Sequence, residues 1–428
     1  MMQTDTSEIG NKELPAASRA TVLLDGNEYS SGFQTKELHR SKWQEVLEQA
    51  HGAGVPAVCL CGGDGARRLA VRCIAGIYRL ARYPNSGHEH AIHCRYYGPN
   101  VSGSGLRSYA AGVVREDDEG ILHVRLTHGI GRHKSPAIGT NSAPPPTGSG
   151  RAPPVPSMTL LGLLHLMWMQ AGLHRWAHSA GTHDDFSIAR QLRKVAHKIL
   201  AGRHPLADAL VTTAGRAGCL REAADRAIAA ARDGQRRIVC VAALRPAAAP
   251  WEGRYVPLHQ VPALPTTILS DMLWERLQDR FGRELAAWRR GRRLIVIGMA
   301  NNPCAPAEKW EWHDLALMPV TDDWVPVDSE YEAQLADHLV AEGRSFEKPL
   351  RFDAHTQESL EDFILTDTRP STALEVFGMN TPEYIARRDA KFILYNANVQ
   401  KPWWYWDATQ GSLATRLRQF PLPVATLG

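Results

Sequence analysis

The sequence predicts a multidomain α/β (α+β) protein, with a β-rich N-terminal module, a central helical and α/β region, and a C-terminal α/β domain. Three observations lead there. At 428 residues the chain is longer than one hydrophobic core usually serves. Cysteine and histidine concentrate near the N-terminus, at Cys59, Cys61, Cys73, His88, His90, His93 and Cys94. Further on, apolar residues switch between helical spacing and strand-like runs, and residues 135–157, rich in Pro, Gly, Ser and Ala, form a linker. The resulting segments are 1–134, 135–157, 158–320 and 321–428.

In the first segment, 1–18 is polar, 20–24 reads as a strand and 36–51 as an amphipathic helix. The apolar run 55–58 leads into Cys59-Leu60-Cys61, and Val71-Arg72-Cys73 reads as strand. A tight C-x-C pair and a distant His-Cys pair together supply the donors of a tetrahedral zinc site. The set chosen is Cys59, Cys61, His90 and Cys94, with His88 and His93 as alternates for the histidine and zinc in a structural role. Residues 112–127 form a hairpin whose turn is Asp117-Asp118-Glu119-Gly120.

In the central segment, 158–168 is apolar on every face, so it is a buried helix with Ser157 as N-cap and Gly172 at its end. Residues 186–200 form a basic helix whose Arg190, Arg193, Lys194, His197 and Lys198 make a solvated face or, with the preceding helix, a helix-turn-helix or winged-helix arrangement that reads DNA. The stretches 220–232, 237–244, 268–287 and 292–299 alternate helix and strand patterns. Arg289, Arg290, Arg292 and Arg293 fall between the last two, where they sit in a solvated loop or grip phosphates.

The last segment starts with a helix over 330–340, capped by Gly343. Extended runs follow at 346–350, 362–366 and 373–378. The third carries Glu375 in its middle, where a charge needs a partner or a cation. Pro382 begins a second helix, and 403–406 is a final strand whose alternation places Trp404 and Trp406 on one face and Trp403 and Tyr405 on the other.

This order of elements, with Asp362 opening the second strand and Glu375 inside the third, resembles the PD-(D/E)XK nuclease superfamily, whose fold is restriction-endonuclease-like. The resemblance covers roughly the last hundred residues. It implies that Asp362 and Glu375 ligate Mg²⁺ for phosphodiester hydrolysis and that Glu332 is an auxiliary acid. Glu361 replaces the motif's proline and Phe377 its lysine, so the lysine's role passes to Lys391 on the following helix. The alternative is a degenerate nuclease fold in which Glu375 is merely paired with Arg387, Arg388 or Lys391.

Residues Cys59-Leu60-Cys61, Leu80-Ala81-Arg82-Tyr83-Pro84, Gly87-His88-Glu89-His90 and Cys94-Arg95-Tyr96-Tyr97 also resemble a bacterial family of unknown function, number 1173 in its series. Residues 159–166 and 171–176 extend that similarity over most of the chain. It implies no activity, but suggests a bacterial protein that travels with mobile elements.

Charge and composition bound the partners. Net charge is +4, yet residues 321–367 hold thirteen acidic and three basic residues, so the rest of the chain carries a marked positive excess. That excess suits nucleic acid, DNA being the expected partner. Seven cysteines, four grouped at Cys59, Cys61, Cys73 and Cys94 and three scattered, do not suggest a disulfide framework, and the longest apolar run, 158–171, is short and broken by His165. A cytoplasmic protein with no membrane partner is expected. The function expected is a DNA-acting protein, with a non-catalytic zinc-containing binding or scaffold protein as the alternative.

Overall fold

The structure, a computed structural model, describes residues 20–63, 65–74, 76–83, 86–91, 94–96, 113–131, 156–177, 183–215, 218–234, 236–247, 251, 254–302, 309–350, 361–397 and 402–423. Nearly all of the expected linker, 135–157, lies outside these, as do His93 and the side chains of His88 and Arg387. The chain divides into two compact units, one of residues 1–100 with 118–120 and the other of 101–117 with 121–428.

The first unit contains β1 (Val22–Leu24), β2 (Asn27–Tyr29), α1 (Ser31–Thr35), α2 (Arg40–Ala53), β3 (Ala57–Cys59), β4 (Arg68–Ile74) and β5 (Ile77–Arg82). The strands form one antiparallel sheet in the order β2-β1-β3-β4-β5. Trp43, Leu47 and Ala50 recur at helical spacing on α2 and bury against Val22, Leu24, Ala57, Cys59 and Leu69. Gly54 ends that helix at φ 66°, a left-handed conformation in which a side chain is strained.

The second unit opens with β6 (Val114–Glu116), β7 (Leu122–Val124), α3 (Leu160–Gln170), β8 (Arg175–Trp176), α4 (Asp185–Ala196), β9 (Ile199–Ala201) and β10 (His204–Pro205). It continues with β11 (Leu210–Thr212), α5 (Cys219–Asp233), β12 (Arg237–Ala243), β13 (Thr267–Ile268), α6 (Asp271–Arg289), β14 (Arg293–Asn301) and β15 (Trp310–Val320). Their sheets run β10-β9-β7-β6 and β11-β12-β14-β15-β13. The apolar helix α3 packs on β14 and β15 in the largest core. Its N-cap is Thr159, whose hydroxyl accepts the Gly162 N–H, while the expected cap, Ser157, bonds Thr127 instead. The basic helix stops at Ala196 because Ile199–Ala201 is drawn off to pair with β7. Arg193 turns inward and donates to the carbonyls of Leu210 and Ala207. The arginines after α6 are also engaged: Arg292 and Arg290 reach Glu330 at 3.0 and 3.8 Å, and Arg293 lies over the Trp324 ring.

Last come α7 (Glu330–Ala341), β16 (Phe346–Glu347), β17 (Phe363–Leu365), β18 (Thr372–Phe377), α8 (Pro382–Ala397), β19 (Trp403–Asp407) and α9 (Leu413–Arg416). The helix, three strands, helix and strand expected from the sequence are all present. Their sheet runs β19-β18-β17-β16-β8, so a strand following α3 in the chain supplies its far edge. Strands β18 and β19 are parallel and the other neighbours antiparallel. Trp404 and Trp406 share one face with Leu374 and Val376 and pack with Leu335 and Leu339 of α7. On the other face Trp403 stacks on Tyr395 and Tyr405 meets Phe392, both from α8. No helix among the described residues is long and apolar enough to cross a membrane.

Candidate functional site

In the first unit, Cys59 ends β3, the central strand, and Cys61 follows just past its end. His90 ends the short 3-10 turn Gly87–Glu89, and the next turn, closed by Cys94 N–H on the Ala91 carbonyl, brings Cys94 back. The four donor atoms lie within 4.8 Å of one another. Cys59 Sγ is 3.7 Å from Cys94 Sγ, and His90 Nδ1 is 3.6 Å from Cys61 Sγ and 3.8 Å from Cys94 Sγ. A tetrahedron with metal–sulfur bonds of about 2.3 Å has edges of roughly 3.8 Å. The set therefore fits a metal ion such as zinc.

The surroundings suit thiolates. Backbone N–H groups of Ala91 and Tyr96 donate to Cys61 and Cys94 sulfur at 3.3 and 3.5 Å. The hydrogen bond shared with Cys59 holds the Cys94 thiol down at about 4, while the same bond and burial push Cys59 well up. A bound cation would favour both as thiolates. Glu89 accepts the Arg67 N–H at 2.7 Å, and Arg67 Nε donates to the Cys59 carbonyl, tying the two ligand loops together. Gly63 sits so close to the second loop that a Cβ there would collide with the Glu89 carbonyl oxygen.

A second constellation lies at one end of the last sheet. Phe363 pairs with Leu374 across antiparallel strands, so Asp362 and Glu375, one residue beyond, emerge at the same end. The Val376 N–H donates to Asp362 Oδ2 at 2.7 Å and fixes that carboxylate beside the strand of Glu375. Glu375 is fully buried. Its Oε2 accepts from Lys391 Nζ and its Oε1 from the Tyr395 hydroxyl, both at 2.6 Å. Lys391 and Tyr395 are four residues apart on α8 and so share a face.

From the other side of the sheet, α7 contributes Glu332, whose N–H is capped by Ser329. Glu332 Oε2 accepts from Lys348 Nζ at 2.7 Å and from the Asp328 N–H at 3.0 Å. Lys348, just past β16 and 2 % exposed, also reaches Asp328 Oδ2 at 2.9 Å. Burial pushes Glu332 up to about 8, Lys348 opposing and Asp362 adding to the rise. Asp362 rises to about 6 through burial and the nearby Glu375 charge. Burial likewise raises Glu375, against the pull of Lys391. Burial is the main cause of all three rises, and Lys348 and Lys391 supply the positive charge that opposes them.

Asp362, Glu375 and Lys391 thus meet, and Glu332 joins the same charged cluster through Lys348. Among the alternative partners considered for Glu375, Arg388 instead pairs with Asp407 at 3.1 Å and Asp389 at 3.4 Å. Lys348 and Tyr395 escaped the sequence reading. Tyr395 had a usable signal in its spacing from Lys391, whereas Lys348, a lone lysine at a strand end, had none.

No curated protein and no solved structure matches the chain. A family model described as protein of unknown function (DUF1173) matches residues 29–409, most of the chain. The chain therefore belongs to the DUF1173 family.

Proposed function

We propose that this protein hydrolyses phosphodiester bonds in DNA with a divalent cation, that its last αβββαβ segment is a PD-(D/E)XK-like nuclease domain, and that the cysteine–histidine cluster is a structural zinc site. The observation that carries the reading is the 2.7 Å bond from Val376 N–H to Asp362, which places Asp362 beside Glu375 while Lys391 contacts Glu375 from α8. The element order around them is the one the superfamily uses.

Asp362 and Glu375 would hold the ion. When bound, it supplies a Lewis acid for the phosphoryl oxygen and a lowered pKa for the attacking water. The chain's own groups do the rest. Tyr395 holds one Glu375 oxygen and Val376 N–H one Asp362 oxygen, so both carboxylates are oriented before substrate arrives. Lys391, 2.6 Å from Glu375, turns to the scissile phosphate and stabilises the charge that builds on it.

A cleavage assay on single-stranded, duplex and branched DNA tests this. Mg²⁺- or Mn²⁺-dependent nicking is expected from wild type, and loss of it from Glu375→Gln and Asp362→Asn, both still folded. The 2.6 Å Lys391–Glu375 contact also favours a second reading, a zinc-containing binding or scaffold protein in which that pair is structural. In that case wild type cuts nothing, and Glu375→Gln chiefly lowers the melting temperature by stranding a buried ammonium.

A further inference from the structure

We infer that the surface around the β9–β10 turn and the start of β12 tracks the phosphate backbone of nucleic acid, with Arg203, Arg226, Arg236 and Arg237 as its cationic contacts. The inference rests on the nucleic-acid part of the reading above and needs nothing from the carboxylate cluster.

Residues 186–207 hold five Arg and Lys and no Asp or Glu. Folding sets the end of this tract against further arginines. His204, Asp208, Arg236 and Arg237 line one crevice, and Arg203 occupies the exposed turn beside it. Burial, and then the charges of Arg236 and Arg203, hold the His204 imidazole below its usual 6.5 against the pull of Asp208. Arg193 is likewise held down by burial and then by the Arg226 charge, again against Asp208. At each place an arginine outweighs that one carboxylate, and a field of this sign favours an anion.

These cations are not used up by the fold. Arg203, Arg226 and Arg236 make no side-chain hydrogen bond or ion pair with another described residue, Asp208 and Asp233 included. By contrast, Arg221, Arg344 and Arg388 of the same unit reach carboxylates at 3.0, 2.7 and 3.1 Å. The crevice is nonetheless built. Arg237 donates to Asn301 Oδ1 at 2.8 Å and to the Gly129 carbonyl at 2.7 Å, and a Cβ on Gly234 would crowd Arg236 Nε, as one on Gly131 would His204 Nε2. Contributed by a turn, a helix and a strand, the cations suit successive phosphates of one backbone better than a single small anion.

The test is the fluorescence anisotropy of labelled duplex DNA titrated with full-length, zinc-loaded protein, without added Mg²⁺, over a series of chloride concentrations. Arg203→Gln/Arg236→Gln is expected to weaken binding about tenfold or more at physiological salt and to flatten the slope of log K against log salt by about two, one for each lost phosphate contact. Arg283→Gln/Arg289→Gln, which removes the same charge from exposed positions of α6, should change either little. Unaltered affinity and slope in the first variant, or equal losses in both, overturn the inference and leave nucleic-acid binding standing. So does displacement of the DNA by inorganic phosphate at matched ionic strength, which would make this a site for a small anion. If the first variant does not fold, Arg203→Gln alone, in its exposed turn, decides by a slope that is flatter by about one or unchanged. If wild type binds no DNA at any salt concentration, the nucleic-acid reading falls and this inference with it.

Discussion

Tyr395 places its hydroxyl 2.6 Å from Glu375 Oε1 while its ring stacks on Trp403 at 5.0 Å, so one side chain both packs α8 on the sheet and holds the buried carboxylate. These two duties can be separated. Tyr395→Phe keeps the stack and removes the donor, leaving Lys391 to hold Glu375 from α8. The variant is expected to lose about 1–2 kcal/mol of stability, as when a buried acceptor loses a donor. Cleavage should fall at least tenfold with KM little changed, because the ligand is less well oriented. Urea melts and steady-state kinetics check both, and a drop in stability with unchanged kcat would make Tyr395 purely structural.

Zinc removal is the sharpest test of the first unit. Cys59→Ser is expected to lose the metal and with it the packing around Trp43 and Leu69, since structural zinc contributes roughly 10–16 kcal/mol of apparent binding free energy. Gly63→Ala should also weaken zinc retention, because its Cβ would collide with the Glu89 carbonyl between the ligand loops. Metal analysis and melting curves read both. A zinc-free wild type whose melt is unmoved by chelator would dispose of the site.

Acid should loosen the last segment through Asp367. Burial would raise its carboxyl, but bidentate bonds from Arg344 at 2.7 and 2.8 Å, and the Ser345 N–H, more than offset this and hold it below its ordinary 3.8. A depressed folded pKa gives stability that is present above 3.8 and is lost as pH falls through the folded value. Asp367→Asn is therefore expected to destabilise at pH 7 and to lose this part of the acid sensitivity below pH 4. Arg344→Met, which strands Asp367, should cost roughly 3 kcal/mol at pH 7. Denaturant melts at pH 3 and pH 7 measure the difference, and identical pH dependence in wild type and Asp367→Asn would refute it.

DNA affinity is expected to be salt-sensitive and independent of Glu375. The positive excess lies outside residues 321–367, so Glu375→Gln should bind DNA with the same slope of log K against log salt as wild type while failing to cut it. Fluorescence anisotropy between low and physiological salt gives the slope. Binding that is absent, or insensitive to salt, contradicts a nucleic-acid partner.

Much of this architecture was legible in the chain because it is local. The element order from α7 to β19, the split of Trp404 and Trp406 from Trp403 and Tyr405, and the gathering of Cys59, Cys61, His90 and Cys94 all follow from side-chain period and donor type. The features that were missed depend on pairing through space. Leu200 carries on a helical pattern, yet its backbone pairs in register with His123 of β7. Arg175–Trp176 is too short to signal a strand and becomes one by meeting Phe346–Glu347, far along the chain. Lys348 looks like any lysine before a proline until folding buries its ammonium between Asp328 and Glu332. Periodicity reports which face of an element is apolar, because burial acts on each residue in turn. It carries no record of which distant carboxylate an ammonium will meet, since that distance is set by packing helices on both faces of a completed sheet.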